Sequence, residues 1–136
     1  IVAYSDERQK RNIATIDNAL EKVLQLRGVS YNKVATPNDK LKDENLADYL
    51  SEDGEIIKNT EIGVIAQEVQ KVVPEVVTYA SDVDEYSVNY GNMVGLLIES
   101  TKEQQTIINN QKQEIEDLKS EVDKLKEMVY KLMESK

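Results

Sequence analysis

The sequence predicts an α+β protein, in which a small helix-plus-strand head is followed by a long C-terminal helix that forms a parallel coiled coil. Short runs of β-branched residues alternate with helically spaced apolar residues over the first ninety positions. A seven-residue apolar repeat then continues almost to the end of the chain. The composition agrees with this division, because 40% apolar and 32% charged residues indicate a small core and much solvated helix surface.

The head begins with a predicted helix from about Asp6 to Leu26. Ser5 or Asp6 can cap its start, and Gly28 follows its end. A strand over Val29–Val34 comes next, since its residues partly alternate. The apolar residues that would share the inner face of the helix are Ile13, Ile16, Leu20, Val23 and Leu24.

A polar excursion over Thr36–Thr60 interrupts the head. It contains few apolar residues, and a helical turn is expected near Glu44–Leu50. Irregular stretches of this length in compact domains are usually functional or mobile. A tolerated insertion and a functional loop are equally good interpretations.

The sequence pattern over the rest of the head predicts a small α+β unit. A strand at Ile62–Ile65 leads into a helix over Ala66–Val73, and Pro74 ends that helix. Val76–Tyr79 and Tyr86–Tyr90 are β-branched or aromatic and flank an acidic turn, as in a hairpin.

The C-terminal helix carries an apolar seam at the a and d positions of a heptad repeat. From Val94 to Leu132 the seam would run for roughly 58 Å at 1.5 Å per residue. No small head can bury a stripe of that length, so the seam predicts partner helices. The seam residues are Val94, Leu97, Ile108, Ile115, Leu118, Val122, Leu125, Val129 and Leu132, with polar layers at Thr101, Gln104 and Gln111.

Charged residues beside the seam favour parallel helices. In a parallel pair, Glu114 faces Lys119 and Glu121 faces Lys126 of the neighbour, whereas antiparallel pairing brings like charges together. β-branched residues at a with Leu at d favour two strands, but polar d layers can alter that choice. The seam alone therefore leaves dimer and trimer open.

The composition limits the chemistry available to the chain. A net charge of −9 disfavours nucleic-acid binding, and no apolar run is long enough to span a membrane. Without Cys or His there are no thiolate, Ser-His or His-ligated metal sites. No phosphate-binding glycine loop is present, and the acidic turn at Asp82, Asp84 and Glu85 is better read as solvated than as a cation site. We expect no cofactor and no metal.

Ser5 and Lys10 form the one candidate catalytic pair. A serine hydroxyl needs a base to take its proton, and without His that nitrogen base would be a neutral lysine. On a continuous helix the two residues would lie about 140° apart, so Ser5 would have to precede the helix, or the base would come from another subunit. Taken alone, a Ser-Asp pair before a basic helix is more typical of an N-cap.

Three blocks of the chain resemble the intramolecular chaperone domain of phage tail spikes and fibres, peptidase family S74. The first block runs from Ser5-Asp6-Glu7-Arg8-Gln9-Lys10 through Asn12-Ile13 to Leu24-Gln25-Leu26-Arg27-Gly28-Val29-Ser30-Tyr31. The second is Ile62-Gly63-Val64-Ile65-Ala66-Gln67-Glu68-Val69, followed by Val73-Pro74-Glu75-Val76-Val77. The third is Tyr86-Ser87-Val88-Asn89-Tyr90 with the helix after it. Their order and spacing also agree with the family.

This resemblance implies a homotrimer that helps the upstream fibre or spike domain of the same polypeptide to fold and then cuts itself free. Ser5 would be the nucleophile, Lys10 its base and Tyr4–Ser5 the scissile bond, with Asp6, Arg8 and Glu68 as supporting residues. The partners would be sister chains and the upstream fibre, with no nucleic acid or membrane. The work would take place in the host cytoplasm during virion assembly, and the domain would leave the mature virion after cleavage.

The resemblance also suggests a division of the chain. Residues 1–4 would be a remnant of the upstream fibre, 5–90 the chaperone and autoprotease head, and 91–136 the trimerisation helix. Two features depart from the family pattern: Asn32 and Lys33 stand where many relatives have a Trp, and the 36–60 excursion is long. The resemblance suggests that the excursion corresponds to arms that reach back to the fibre shaft in some relatives.

Two other functions fit parts of the sequence. A plain coiled-coil trimerisation or adhesion module would use the seam and leave Ser5 as a helix cap. A membrane-tethered transcription factor that releases itself would need a basic DNA-binding domain and a membrane span, and this segment contains neither.

Overall fold

The computed structural model describes residues 2–36 and 45–135. It confirms an α+β fold with a long C-terminal helix. The chain divides into two units: one contains residues up to Val23 and those from Val94 onward, and the other is Leu24–Met93. The helices are α1 (Ala19–Leu24), α2 (Ala66–Gln70) and α3 (Met93–Glu134), and the strands are β1 (Val29–Val34), β2 (Ile56–Gly63), β3 (Val77–Ala80) and β4 (Glu85–Val88). Short 3-10 turns lie at Glu7–Gln9, Leu46–Tyr49, Pro74–Val76 and Tyr90–Asn92.

The predicted helix from Asp6 to Leu26 is wrong over most of its length. Only a 3-10 turn at Glu7–Gln9 and the short helix α1 form there. Asn12 and Asn18 have φ angles of 55° and 53°, in the left-handed region that interrupts a right-handed helix. Ile13, expected on an inner face, is 67% exposed.

The unit Leu24–Met93 holds an antiparallel pair, β1 with β2, in which Val29 lies opposite Gly63 and Val34 opposite Ile56. Strand β1 has its predicted bounds. Strand β2 begins six residues earlier than Ile62 and ends at Gly63, so the end of the predicted excursion is part of the sheet. The helical turn expected near Glu44–Leu50 is the 3-10 turn at Leu46–Tyr49, and residues 37–44 of the excursion lie outside the described residues.

The second sheet is the predicted hairpin. Strands β3 and β4 pair antiparallel, from Val77 opposite Val88 to Ala80 opposite Glu85, and Asp84 turns the chain with a φ of 51°. Helix α2 begins at Ala66 as predicted but ends at Gln70, three residues before the predicted end at Val73. It lies against β3 and β4 and the turn before them. A small core of Val69, Val73 and Val76 results, with Val69 only 1% exposed.

Helix α3 is continuous over 42 residues, as the heptad pattern predicts. Near its start, Leu96 and Ser100 are buried, at 3% and 6% exposure. The nine apolar seam residues, by contrast, are each between 38% and 66% exposed. Across the part of the chain that the structure describes, no helix combines the length and apolar character that a membrane crossing needs.

Candidate active site at the N-terminal turn

The candidate active site is the 3-10 turn at Glu7–Gln9 and the residues beside it. Asp6 has extended backbone angles and caps the turn, because its Oδ1 accepts the Arg8 N–H at 2.9 Å. The Lys10 N–H closes the turn on the Glu7 carbonyl at 3.0 Å, and Lys10 itself returns to extended backbone. The chain therefore reverses locally between Ser5 and Lys10.

That reversal brings the two candidate catalytic side chains together. Lys10 Nζ lies 2.5 Å from Ser5 Oγ and 3.0 Å from the Ser5 carbonyl oxygen. The separation of about 140° expected on a continuous helix does not apply, because Ser5 precedes the turn and the turn is not α-helical. Both residues belong to one chain, and both are exposed.

Asp6 is occupied by Arg8 and makes no ion pair with Lys10. Arg8 donates from Nε to both carboxylate oxygens, at 3.0 and 3.2 Å, and from Nη2 to Oδ2 at 2.6 Å. These hydrogen bonds lower the pKa of Asp6 and raise that of Arg8. Of the predicted supporting residues, Asp6 and Arg8 are thus beside the pair and shape the turn that carries it.

Arg11 also contributes to the site, although it was not among the predicted supporting residues. Its Nη1 donates to the Arg8 carbonyl at 3.0 Å and to the Lys10 carbonyl at 2.7 Å. These two bonds hold the end of the turn on the Lys10 side. Its position directly after Lys10 could have indicated a role in the site. An arginine in a basic run, however, is usually exposed to solvent and has no specific partner.

Glu68, the third predicted supporting residue, lies in the other unit and binds Arg27. The pair is bidentate, with Oε1 to Nη2 at 2.6 Å and Oε2 to Nε at 3.2 Å. The Arg27 guanidinium lowers the pKa of Glu68, and the carboxylate raises the pKa of Arg27. This contact joins α2 to the segment before β1, and a role for Glu68 in cleavage stays a prediction.

The second signature block lines a cleft of about 490 Å³ in the unit Leu24–Met93. Residues 64–67 form one side, and the β3–β4 hairpin forms part of the rest. The Tyr90 hydroxyl accepts the Val64 N–H at 3.2 Å and lies where a Cβ on Gly63 would be. Gly63 therefore leaves room for Tyr90, which is a structural reason for a glycine in this block. At the acidic turn, the Tyr79 hydroxyl donates a hydrogen bond to Asp84 Oδ1 at 2.5 Å. Among the described residues, no group of three acidic side chains lies close enough together to hold a metal ion.

Comparison with known proteins agrees with the resemblance seen in the motifs. Residues 5–78 match the model of the Peptidase_S74 family, described as the chaperone of endosialidase. Two curated relatives are the long tail fiber protein Gp37 of Enterobacteria phage K3 and that of Enterobacteria phage T2. Each is 37% identical over 101 residues, or 72% of this chain, but the match spans only 7% and 6% of the relatives' own lengths. This chain belongs to the Peptidase_S74 family of chaperone domains.

Proposed function

We propose that the chain is a trimerising chaperone of a phage tail fibre or spike that releases itself by hydrolysing its own Tyr4–Ser5 bond, with Ser5 as nucleophile and Lys10 as base. The observation that carries the proposal is the 2.5 Å contact between Lys10 Nζ and Ser5 Oγ. Family membership supports the chaperone role, and the two tail fibre relatives support a fibre as the client. The work would take place during virion assembly in the host cell.

The exposed seam of α3 supports association with sister chains. A helix of 42 residues whose apolar stripe faces water lacks the packing that stabilises most helices. Parallel copies would bury the stripe and place Glu114 and Glu121 opposite Lys119 and Lys126. A parallel trimer would also bring three client chains together in register.

The proposed reaction uses groups that are already adjacent. With its amine neutral, Lys10 accepts the Ser5 hydroxyl proton as Oγ attacks the Tyr4 carbonyl carbon. Collapse of the adduct breaks the C–N bond, the Ser5 nitrogen takes the proton, and Tyr4 is held as an ester on Oγ. Water then attacks the ester, which leaves a Tyr4 carboxylate and restores the serine hydroxyl.

The turn also limits where the developing oxyanion could be held. The Arg8 and Gln9 N–H groups are already bonded to Asp6. They are not free for the oxyanion role that backbone donors usually fill. The donors would therefore be other N–H groups, either those of Asp6 and Glu7 in the same turn or groups of a neighbouring copy or the folded fibre.

Exposure of the pair favours a reaction that is gated by assembly. A neutral amine is favoured by removal from water and by nearby positive charge. The Arg8 charge is already paired with Asp6, and on the surface of one chain Lys10 is not buried. We infer that cleavage begins when a neighbouring copy or the completed fibre covers the turn, so that cutting follows correct assembly.

The test is self-cleavage of the chain with a trimeric β-structured fibre segment fused before Ile1, followed by gel and by intact mass. Ser5→Ala should abolish cutting. Lys10→Ala and Lys10→Arg should slow it at least a hundredfold, as expected for loss of a general base. Lys124→Ala, an exposed lysine outside the turn and the seam, is the matched control and should cut normally.

The main alternative is a trimerisation or adhesion module that does not cut. The exposed seam favours it as much as it favours the chaperone, since both need association. A fusion that assembles and remains whole, with Ser5→Ala indistinguishable from the parent, would establish the alternative. Undiminished cutting by both Lys10 variants would remove Lys10 from the mechanism.

A further inference from the structure

Helix α1 has an unusual start. It is only six residues long, and isolated helices of that length are not stable in water. The residue before it, Asn18, has a φ of 53°, whereas a residue that caps from its own side chain normally has extended backbone. The first N–H groups of α1 therefore need an acceptor from elsewhere.

Glu103, on the long helix α3, is that acceptor. Its Oε1 accepts the Ala19 N–H at 3.2 Å and its Oε2 accepts the Leu20 N–H at 2.5 Å. One carboxylate thus satisfies two N–H groups at the positive end of α1, an arrangement that the helix dipole also favours. The contact joins residues 83 and 84 positions apart in the sequence.

Apolar packing accompanies this contact on the same face of α3. Ala19 is fully buried, and Leu96 and Ser100 precede Glu103 on the buried face of α3. A Cβ on Gly95 would lie 3.7 Å from the Ile16 side chain, so Ile16 passes close to the helix. The first turns of α3 therefore present one face to the N-terminal segment and leave the seam on another.

We propose that Glu103 is a positioning residue, which fixes the segment carrying Ser5 and Lys10 to the helix that assembles. This inference rests on the proposed self-cleavage. Association through the seam stabilises α3, and α3 supplies the carboxylate that caps α1. Helix α1 in turn fixes the C-terminal end of the segment that precedes it, which limits the positions that the turn at Glu7–Gln9 can reach. Because this segment is attached to α3, the turn has fewer accessible positions before the neighbouring copy or the fibre covers it. A free N-terminal segment would lose more conformational entropy on being covered.

The experiment uses the fused chain described above and compares Glu103→Gln and Glu103→Ala with Glu116→Gln. Glu116 is an exposed glutamate of the same helix, so its variant makes the same charge change away from α1. We expect cleavage to slow about tenfold in Glu103→Gln, which keeps one carbonyl acceptor, and further in Glu103→Ala. The control should cut at the parent rate.

Four readouts separate positioning from general stability. The final fraction cut and the molar mass in solution should equal those of the parent, while the first-order rate constant falls. Hydrogen exchange at Ala19 and Leu20 should accelerate in the Glu103 variants and not in the control. Equal cleavage rate constants for Glu103→Ala and the parent would overturn the inference. A rate constant that falls only in proportion to the fall in molar mass would also overturn it, because the effect would then be on assembly. A parent chain that is never cut defeats the proposed self-cleavage instead, and this inference falls with it.

Discussion

Gly63→Ala tests the packing of the family's second signature block independently of any function. Gly63 has no positive φ, so alanine suits its backbone. The new Cβ would overlap the Tyr90 hydroxyl and lie 3.4 Å from the Tyr90 Cζ. The ring must therefore move, and the Val64 N–H loses its acceptor at 3.2 Å.

The size of the effect follows from these two losses. Forcing an extra carbon into a filled site costs about 1–3 kcal/mol, and a neutral hydrogen bond of this kind contributes about 0.5–1.5 kcal/mol. Removing the flexibility of glycine in the unfolded chain offsets about 0.4–1 kcal/mol. We expect Gly63→Ala to lower the free energy of unfolding by about 2 kcal/mol. Tyr90→Phe alone should cost only the hydrogen bond.

The two changes should be coupled, because Phe at position 90 removes the atom that overlaps most. The double variant Gly63→Ala/Tyr90→Phe should be more stable than Gly63→Ala, by about 1 kcal/mol. Urea unfolding at one chain concentration measures this cycle, and amide exchange at Val64 reports the local bond. Gly28→Ala is the control, since nothing lies within 4 Å of its Cβ position. Additive effects, or a Gly63→Ala variant as stable as the control, would refute the argument.

Three further predictions concern charge and the seam. Arg27 lowers the pKa of Glu68, so their ion pair stabilises the fold fully at pH values above the ordinary carboxylate pKa. That stabilisation is lost as the pH falls through the lowered pKa of Glu68. The melting temperature of Glu68→Gln should therefore fall less in acid than that of the parent, and an equal fall would contradict this. Leu125→Asp should place a charge in the seam and turn assemblies into single chains in analytical ultracentrifugation, whereas an unchanged mass would count against the seam. Glu121→Lys should lower the melting temperature of the assembly by opposing Lys126 of the next copy, and the added change Lys126→Glu should restore it; no restoration would argue against parallel helices.

Elements with strong local patterns could be predicted from the sequence. The heptads gave the long helix α3, and β-branched runs on either side of an acidic turn gave the β3–β4 hairpin. The N-terminal helix could not be predicted correctly, because its apolar spacing was helical while Asn12 and Asn18 adopt left-handed backbone. Single-sequence patterns rarely distinguish an asparagine that continues a helix from one that ends it.

The candidate site was predictable in part for a related reason. Ser5 and Lys10 are close in sequence, and without His a lysine is the remaining nitrogen base, but the resemblance to the family was needed to prefer a catalytic pair over a helix N-cap. How they meet depends on a 3-10 turn capped by Asp6, which no periodicity indicates. Glu103 lies more than 80 residues from the helix start that it caps, and no local signal connects the two.

The apolar seam and the flanking charges have different weights in the proposed assembly. Complete burial of a Val, Leu or Ile side chain contributes about 1.5–3 kcal/mol. Burying the remaining exposed half of nine such residues would therefore contribute about 1 kcal/mol each. An exposed ion pair such as that proposed between Glu121 and Lys126 of two copies contributes only about 0.2–1 kcal/mol. The seam should thus decide whether copies associate, and the charges should decide in which direction they lie.

Salt screens exposed charges far more than buried apolar contacts. Raising the ionic strength should consequently leave the molar mass of the assembly unchanged while it weakens the preference for parallel over antiparallel helices, which fluorophore pairs at the two ends of α3 can measure.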